Sequence, residues 1–485
     1  MKIEKLLKVI LFAFFTITPT CFLHGFDDDL GDLFGELGME DMDLETIEET
    51  SKARVSEGAR SFDGIIFSGG VDEISFWRRG EGARSRDPLF LLPQTMSMLG
   101  RKNGLSCNLF FNRASRLPIY PDIVLNMKGL GLLSKLAQTI SPGIEKDEES
   151  LMGALFKLLP YLRKMTVQEH RIGTLLQAGF SMGRLMFQID QPLLLSERNF
   201  WLCKKDQQVI KDIMAKVDMD AKGNFMKTKF GFGDTRLKFG YKICDSKKFE
   251  SVVGVQTTLP TSRIVRKKPK MCVTSKVGDK RIKLLQDLLT VGQNILIEPK
   301  LGIGHWGLGL FGEFKINFIP DKFDVWGRAS YDYFFKGDEY RYMPSDVTLK
   351  YADLGMIALS ETIPADFPIS NVFPHLTKVT VIPGAIFNGA LGLNYKINKN
   401  WKFGLGYDVY HQESEKIKNV RVDSIDPSLL VTQSAISPSI LQHKVFGDIT
   451  YTRKNWSLGL LGDTTFSSKG AAKDWTVGLK LDINF

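Results

Sequence analysis

Six histidines and five cysteines are the side chains of this 485-residue sequence best suited to covalent, acid–base or metal chemistry. Their spacing argues against all three. No HExxH, GxSxG or CxxC motif occurs, and His305, His411 and His443 lie near the ends of alternating segments with no Ser or Asp placed as triad partners. Cys107, Cys203, Cys244 and Cys272 match no zinc spacing. In an oxidising compartment Cys203 and Cys272 could bridge two loops, or they stay as free thiols. Gly231 and Gly233 are no phosphate loop, because no helix follows them. The expectation is a non-enzyme with no catalytic residue, no metal site and no cofactor.

A second set of polar residues is better organised. Arg236 and Lys238, Glu313 and Lys315, Arg328 and Asp332, and Lys480 and Asp482 each sit on the polar face of a segment whose other face is apolar. The last of these reads WTVGLKLDINF, with Trp475, Val477, Leu479, Leu481, Ile483 and Phe485 on one face. Such a strand either packs its apolar face on a core or turns it toward lipid around a polar interior. Ten steps at about 3.3 Å, tilted near 40°, project to about 25 Å, the height of the apolar band of a membrane barrel. In that setting the eight charges line the lumen. Their mixed signs argue against a strongly ion-selective pore; they either pair and fill the interior or line a conducting path.

The elements that must position these charges are long dyad repeats at 104–112, 171–181, 184–196, 228–243, 248–259, 300–319, 323–336, 380–397, 401–411, 441–452, 456–466 and 474–485. Segments 64–77 and 88–96 could add two more strands. Short turns at 245–248, 320–322, 398–400 and 453–455 alternate with long connections near 260–299, 337–379 and 412–440. The pattern predicts an all-β fold, an antiparallel transmembrane β-barrel of 12–14 strands with both ends on the short-turn side. Trp401 and Trp456 each follow a Lys-Asn turn, which places them at one height in an aromatic girdle, with Trp475 and Phe485 as further aromatic residues of the last strand. In 228–243 the apolar phase slips between Phe232 and Leu237, which predicts a bulge at the glycines. Apolar residues at helical spacing, Leu151 to Leu162 and Val209 to Val217, predict amphipathic helices in the outer loops.

The N-terminus carries Lys2, Lys5 and Lys8 ahead of a short apolar run, which reads as a signal peptide over residues 1–25. Residues 26–60 form a segment with eleven acidic residues between Asp27 and Glu49, expected as a disordered periplasmic arm or a plug. Residues 61–485 are assigned to the barrel. The chain is basic overall, at net +9, and the stretch 263–283 holds nine Lys or Arg and one acid. With an export signal, that charge points to lipopolysaccharide phosphate and anionic lipid rather than to nucleic acid.

The stretch FGFGDTRLKFGYKI followed by VVGVQTTLPTS resembles the bacterial outer-membrane transporter family associated with degradation of phenolic and other apolar compounds. Gly231, Gly233, Asp234, Leu237, Gly240 and Tyr241 match its first strand, and Leu259, Pro260 and Thr261 its second, while Ser262 replaces a glycine. The resemblance implies an outer-membrane channel for passive passage of small, apolar molecules; a surface-exposed structural or adhesion-type barrel with a plugged lumen is the alternative. The terminal Phe485 resembles the signal read by barrel-assembly machinery. Outer-loop helices resemble, in architecture only, FadL-type hydrophobe transporters. The oligomeric state is left open by the sequence.

Overall fold

The computed structural model describes residues 86–99, 103–118, 166–201, 204–215, 226–262, 299–343, 375–421, 426–430, 432 and 436–485. The expected signal peptide, the acidic segment, segment 64–77, the helix at 151–162, the basic stretch 263–283, and Cys203 and Cys272 all lie outside these residues. Cys107 and Cys244 are free thiols.

The described residues form seventeen strands. In the first half these are β1 (Gly104–Ala114), β2 (Leu117–Pro118), β3 (Thr166–Met182), β4 (Leu185–Trp201), β5 (Met226–Phe232), β6 (Thr235–Asp245), β7 (Phe249–Leu259) and β8 (Gly307–Ile319). There follow β9 (Phe323–Phe334), β10 (Gly337–Met343), β11 (His375–Ile382), β12 (Ile386–Lys396), β13 (Trp401–Gln412), β14 (Lys416–Arg421), β15 (Ile440–Arg453), β16 (Trp456–Lys469) and β17 (Asp474–Asn484). Antiparallel neighbours run β1, β3, β4, β5/β6, β7, β8, β9, β12, β13, β15, β16, β17. The ring closes where β1 pairs with β17, from Gly104 opposite Asn484 to Ala114 opposite Asp474. With β5 and β6 serving as one interrupted stave, this is a closed barrel of twelve staves.

Burial alternates along the staves, and its chemistry is inverted relative to a soluble core. Exposed positions carry Leu, Phe, Tyr, Trp, Val and Ile, whereas inward positions carry Asn108, Asn112, Gln188, Arg236, Lys238, Asp332, Asp408 and Lys444, all nearly inaccessible. An apolar outer belt around a polar interior is the arrangement a bilayer requires of a strand protein. No described helix is long and apolar enough to cross a membrane, which says nothing about strands.

At one rim the staves join by short turns, including Gly183–Arg184, Pro320–Lys322 and Lys454–Asn455, where Gly183, Asp321 and Lys454 adopt positive φ. At the other rim the connections are long, except the short one from Lys469 on β16 to Asp474 on β17. One of them, between β4 and β5, contains the α-helix α1 (Lys204–Ala215). The β5/β6 interruption faces Pro192, which has no N–H to offer a ladder. There Gly233 N donates to Pro192 O at 2.9 Å. A Cβ on Gly233 would lie 2.6 Å from Pro192 Cγ, so the close approach needs a glycine.

Two expectations about strand extent change. The segment 380–397 is two strands in two sheets: β12 stays in the barrel, while β11 leaves it at the loop rim and joins β10 and β14 in a three-stranded sheet. Met343, Val379, Val381 and Leu430 form that sheet's own apolar core, which is what stabilises strands beyond the barrel wall. Residues 300–306 are irregular, and β8 begins only at Gly307.

A third correction concerns 88–96, expected as a candidate strand. It forms two 3-10 turns, Pro88–Phe90 and Pro93–Thr95, inside the barrel. Each turn opens on a proline, whose fixed φ suits a turn and whose missing N–H breaks a strand ladder. The Asp87 side chain caps the first turn by accepting from Leu89 N at 2.9 Å.

Candidate functional site

The lumen is the site. Its wall charges are arranged in linked pairs rather than a free lining. Lys444 on β15 donates to Asp463 on β16 at 2.8 Å and to Asp474 on β17 at 3.0 Å; Thr476 also donates to Asp463, and Thr465 and Asn112 to Asp474. Across the barrel Arg236 lies 3.8 Å from Asp332, which also accepts from Gln256 at 2.7 Å. Arg328 donates to Asn388 at 2.9 Å and stands 3.5 Å from Asp408. Arg171 binds Glu169 at 2.7 Å. Desolvated charges persist only where such partners hold them.

Residues 86–99 occupy the space these walls enclose. The Arg86 guanidinium pairs with Asp408 and lies 4.6 Å from the centroid of Tyr410, while Arg171 Nη1 donates to the Arg86 carbonyl. Phe90 meets Tyr410 edge-on at 5.4 Å, and the Arg236 guanidinium carbon lies over its ring, 4.2 Å from the centroid. Lower down, Lys238 Nζ donates to Met96 O at 2.8 Å. Glu313 Oε2 then accepts from Ser97 Oγ and Met98 N, each at 2.8 Å, and from Leu99 N at 3.2 Å.

Between these polar latches the wall turns apolar. Leu91 and Leu92 pack with Phe110, Leu175, Leu194, Leu301 and Leu461; Leu89 and Phe90 pack with Phe334, Ile386, Tyr410 and Ile440. Met98 closes the series against Met186, Val252 and Phe311. The lumen therefore alternates charged pairs with apolar bands that face inward.

Of the eight charges expected on polar faces, Arg236, Lys238, Glu313, Arg328 and Asp332 are buried in the lumen, and three of them contact residues 86–99. Lys315 and Asp324 pair at 3.8 Å, and Lys480 and Asp482 pair at 3.1 Å, nearer the turn rim. Trp401 and Trp456 flank Tyr451, with ring centroids 5.1 and 5.8 Å away. Trp475 stands at the opposite rim, against Phe111 at 5.4 Å, because β17 starts at the loop end. Phe485 is 79% exposed at the turn rim, where its N donates to Asn103 O at 3.0 Å.

Sequence reasoning missed Asp408, Lys444, Asp463 and Asp474, although each lies on the polar face of a stave it had found; the same alternation would have identified them. It missed residues 86–99 for a different reason. PLFLLPQTM is apolar, and nothing local distinguishes a lumen filler from a wall strand.

The matched glycine stretch has a structural role in this barrel. Asp234 accepts from Ser262 N at 3.0 Å and Gly304 N at 2.7 Å, and Thr261 Oγ1 donates to Gly233 O at 2.6 Å. The two halves of the motif thus clamp each other at the β5/β6 break and hold Leu301 over the lumen.

No family model and no curated protein matches the chain. Among solved structures it is similar to an outer membrane channel from Pseudomonas putida F1, at 9% identity and TM-score 0.42 over 83% of this chain and 100% of that one. It is similar to the CymD monoaromatic hydrocarbon channel at 9% identity and TM-score 0.31, over 83% of this chain and 94% of that one. The transport unit of the autotransporter AIDA-I from Escherichia coli gives 8% identity and TM-score 0.36, over 85% and 98%. At these scores the assignment of a closed barrel stands on the strand pairing itself.

Proposed function

We propose that this chain is an outer-membrane β-barrel that passes small, apolar molecules passively, with its turn rim in the periplasm and its loop rim outside. The observation that carries the reading is the set of apolar bands facing the lumen: Phe110, Leu175, Leu194 and Leu461, then Phe334, Ile386, Tyr410 and Ile440. A pore serving only ions and polar solutes needs no such bands, and burying apolar area at about 25 cal/mol per Å² makes them a favourable stop for an apolar solute. In this state residues 86–99 cover them, so passage requires that segment to shift. Lipid and lipopolysaccharide at the outer belt, and assembly machinery reading the last strand, are the expected partners.

A second reading is a structural barrel whose lumen stays filled, and the polar latches on residues 86–99 favour it. Bilayer recordings and vesicle uptake of an apolar solute, on the full chain and on a variant lacking residues 86–99, separate the two. Channel function predicts higher flux in the deletion. A deletion variant that still migrates as a heat-modifiable barrel yet passes nothing would leave the structural reading in its place.

A further inference from the structure

At the seam where the ring closes, the outer wall carries a pair of cations just above a group of aromatic rings. Arg113 on β1 stands opposite Trp475 on β17 and His170 on β3, near the loop rim. Its neighbours Asn112 and Ala114 are buried in the lumen, so Arg113 faces outward, as does Phe111. The Phe111 ring stacks on His170, with centroids 6.3 Å apart, and meets Trp475 edge-on at 5.4 Å. Below them the exposed Val477 and Leu479 continue the apolar belt. One step nearer the loops, Ser115 N donates to Lys473 O at 2.6 Å, which carries the β1–β17 ladder past Ala114 and Asp474. Ser115 and Lys473 are both exposed. Arg113 and Lys473 are therefore diagonal neighbours on adjacent strands, about 7–8 Å apart at the backbone, and Ser115 adjoins both. Asp474, between Lys473 and Trp475 in the chain, turns inward and accepts from Lys444, Thr465 and Asn112. The first acid along the outer row, Glu197, lies beyond His170 on β4. Among the described residues neither Arg113 nor Lys473 forms an ion pair.

From these observations we infer that the β1–β17 seam is a binding site for a phosphate of lipopolysaccharide in the outer leaflet, with Arg113 and Lys473 as its cations and Ser115 as a hydroxyl donor. The guanidinium fork and the ammonium supply charge-assisted hydrogen bonds to phosphate oxygens from two adjacent strands. His170, Phe111 and Trp475 occupy the level where rings meet headgroups, and the lipid's acyl chains run down over Val477 and Leu479. A free anion would meet the same charges but make no use of the aromatic and aliphatic wall beneath them, so the occupant is a lipid. The site rests on the reading of an outer-membrane barrel with its loop rim outside, and it assigns the lipid to one seam and to named residues.

The test titrates lipopolysaccharide against the full chain purified in detergent, where membrane orientation plays no part. The variants are Arg113→Ala, Lys473→Ala and the two together, with Lys336→Ala, an exposed cation just past the end of β9, as the control. Heat-dependent gel mobility checks that each barrel is assembled, and Arg113→Lys keeps the charge should the alanine disturb the stave. At the strength of a basic residue near an anionic lipid surface, each alanine should weaken binding roughly fivefold and the pair about thirtyfold, with Lys336→Ala unchanged. Removing the phosphates from the lipopolysaccharide should weaken binding to the unaltered protein and leave the double variant little affected. Binding by the double variant as tight as by the unaltered protein, or an equal loss in Lys336→Ala, overturns the inference. So does equal binding of the dephosphorylated lipid, or displacement by inorganic phosphate at the lipid's own concentration. Solute flux is scored separately, so that a barrel passing nothing leaves the lipid site standing and unchanged lipid binding leaves the channel standing.

Discussion

Arg236 sits over the Phe90 ring, its guanidinium carbon 4.2 Å from the ring centroid, although the two residues belong to opposite kinds of structure, a barrel stave and the segment that fills the lumen. The contact couples the wall to its filler. Replacing Phe90 by alanine removes a fully buried ring, and comparable core truncations cost about 3–5 kcal/mol. The expected outcome is faster amide exchange across residues 89–99 and more frequent conductance openings, with Phe90→Leu milder on both. Unchanged exchange in Phe90→Ala would show that this ring does not hold the segment.

Glu313 carries the lower latch. Glu313→Ala leaves the Ser97 hydroxyl and the Met98 amide without their acceptor and the Leu99 amide with Ser97 Oγ alone, and one orphaned buried donor costs about 1–3 kcal/mol. Amide exchange at Met98 and Leu99 should accelerate roughly tenfold or more on that scale. Glu313→Gln keeps a carbonyl acceptor and should fall between the two.

Lys444 neutralises two carboxylates inside the wall. Lys444→Met leaves Asp463 and Asp474 facing each other without a cation, and breaking a buried pair from one side costs about 3–5 kcal/mol. The urea midpoint in detergent micelles and the temperature at which the heat-modifiable band disappears should both drop. Adding Asp463→Asn should recover part of the loss, since it removes one of the stranded charges.

The sheet beyond the loop rim should respond to acid. Burial alone would push the Glu339 carboxyl up, but the Arg341 guanidinium, the His305 hydrogen bond and Lys300 overcome it and hold the group well below its usual 4.5. His305 Nε2 lies 2.7 Å from Glu339, and Arg341 Nε donates to it at 2.8 Å. A carboxyl lowered in the folded state contributes stability above its unfolded value and loses it as pH falls through the folded one. Exchange protection in β10 and β11 should therefore hold above about pH 4.5 and decay below it. Glu339→Gln should start with less protection and show a flatter acid profile.

Most of the barrel was legible in the sequence because alternation is a local property. A stave half in lipid and half in a polar lumen must change character at every residue, and a slip of one register would place charge in hydrocarbon. That constraint wrote all twelve staves into the chain, along with the inward positions of Arg236, Glu313 and Asp332. The phase slip at Gly231 to Asp234 was visible for the same reason. What the chain did not reveal locally was partnership. Arg236 against Phe90 and Glu313 against Met98 join the wall to a segment enclosed only when β1 closes on β17, and Lys444 between Asp463 and Asp474 joins three neighbouring staves whose register sets the contact. The lumen's contents were decided at that level too: PLFLLPQTM carries the composition of a wall strand, and only the enclosed space, with its apolar bands and converging charges, makes it a filler. Alternation acts between neighbours along the chain; pairing and filling depend on which staves the closed ring sets face to face.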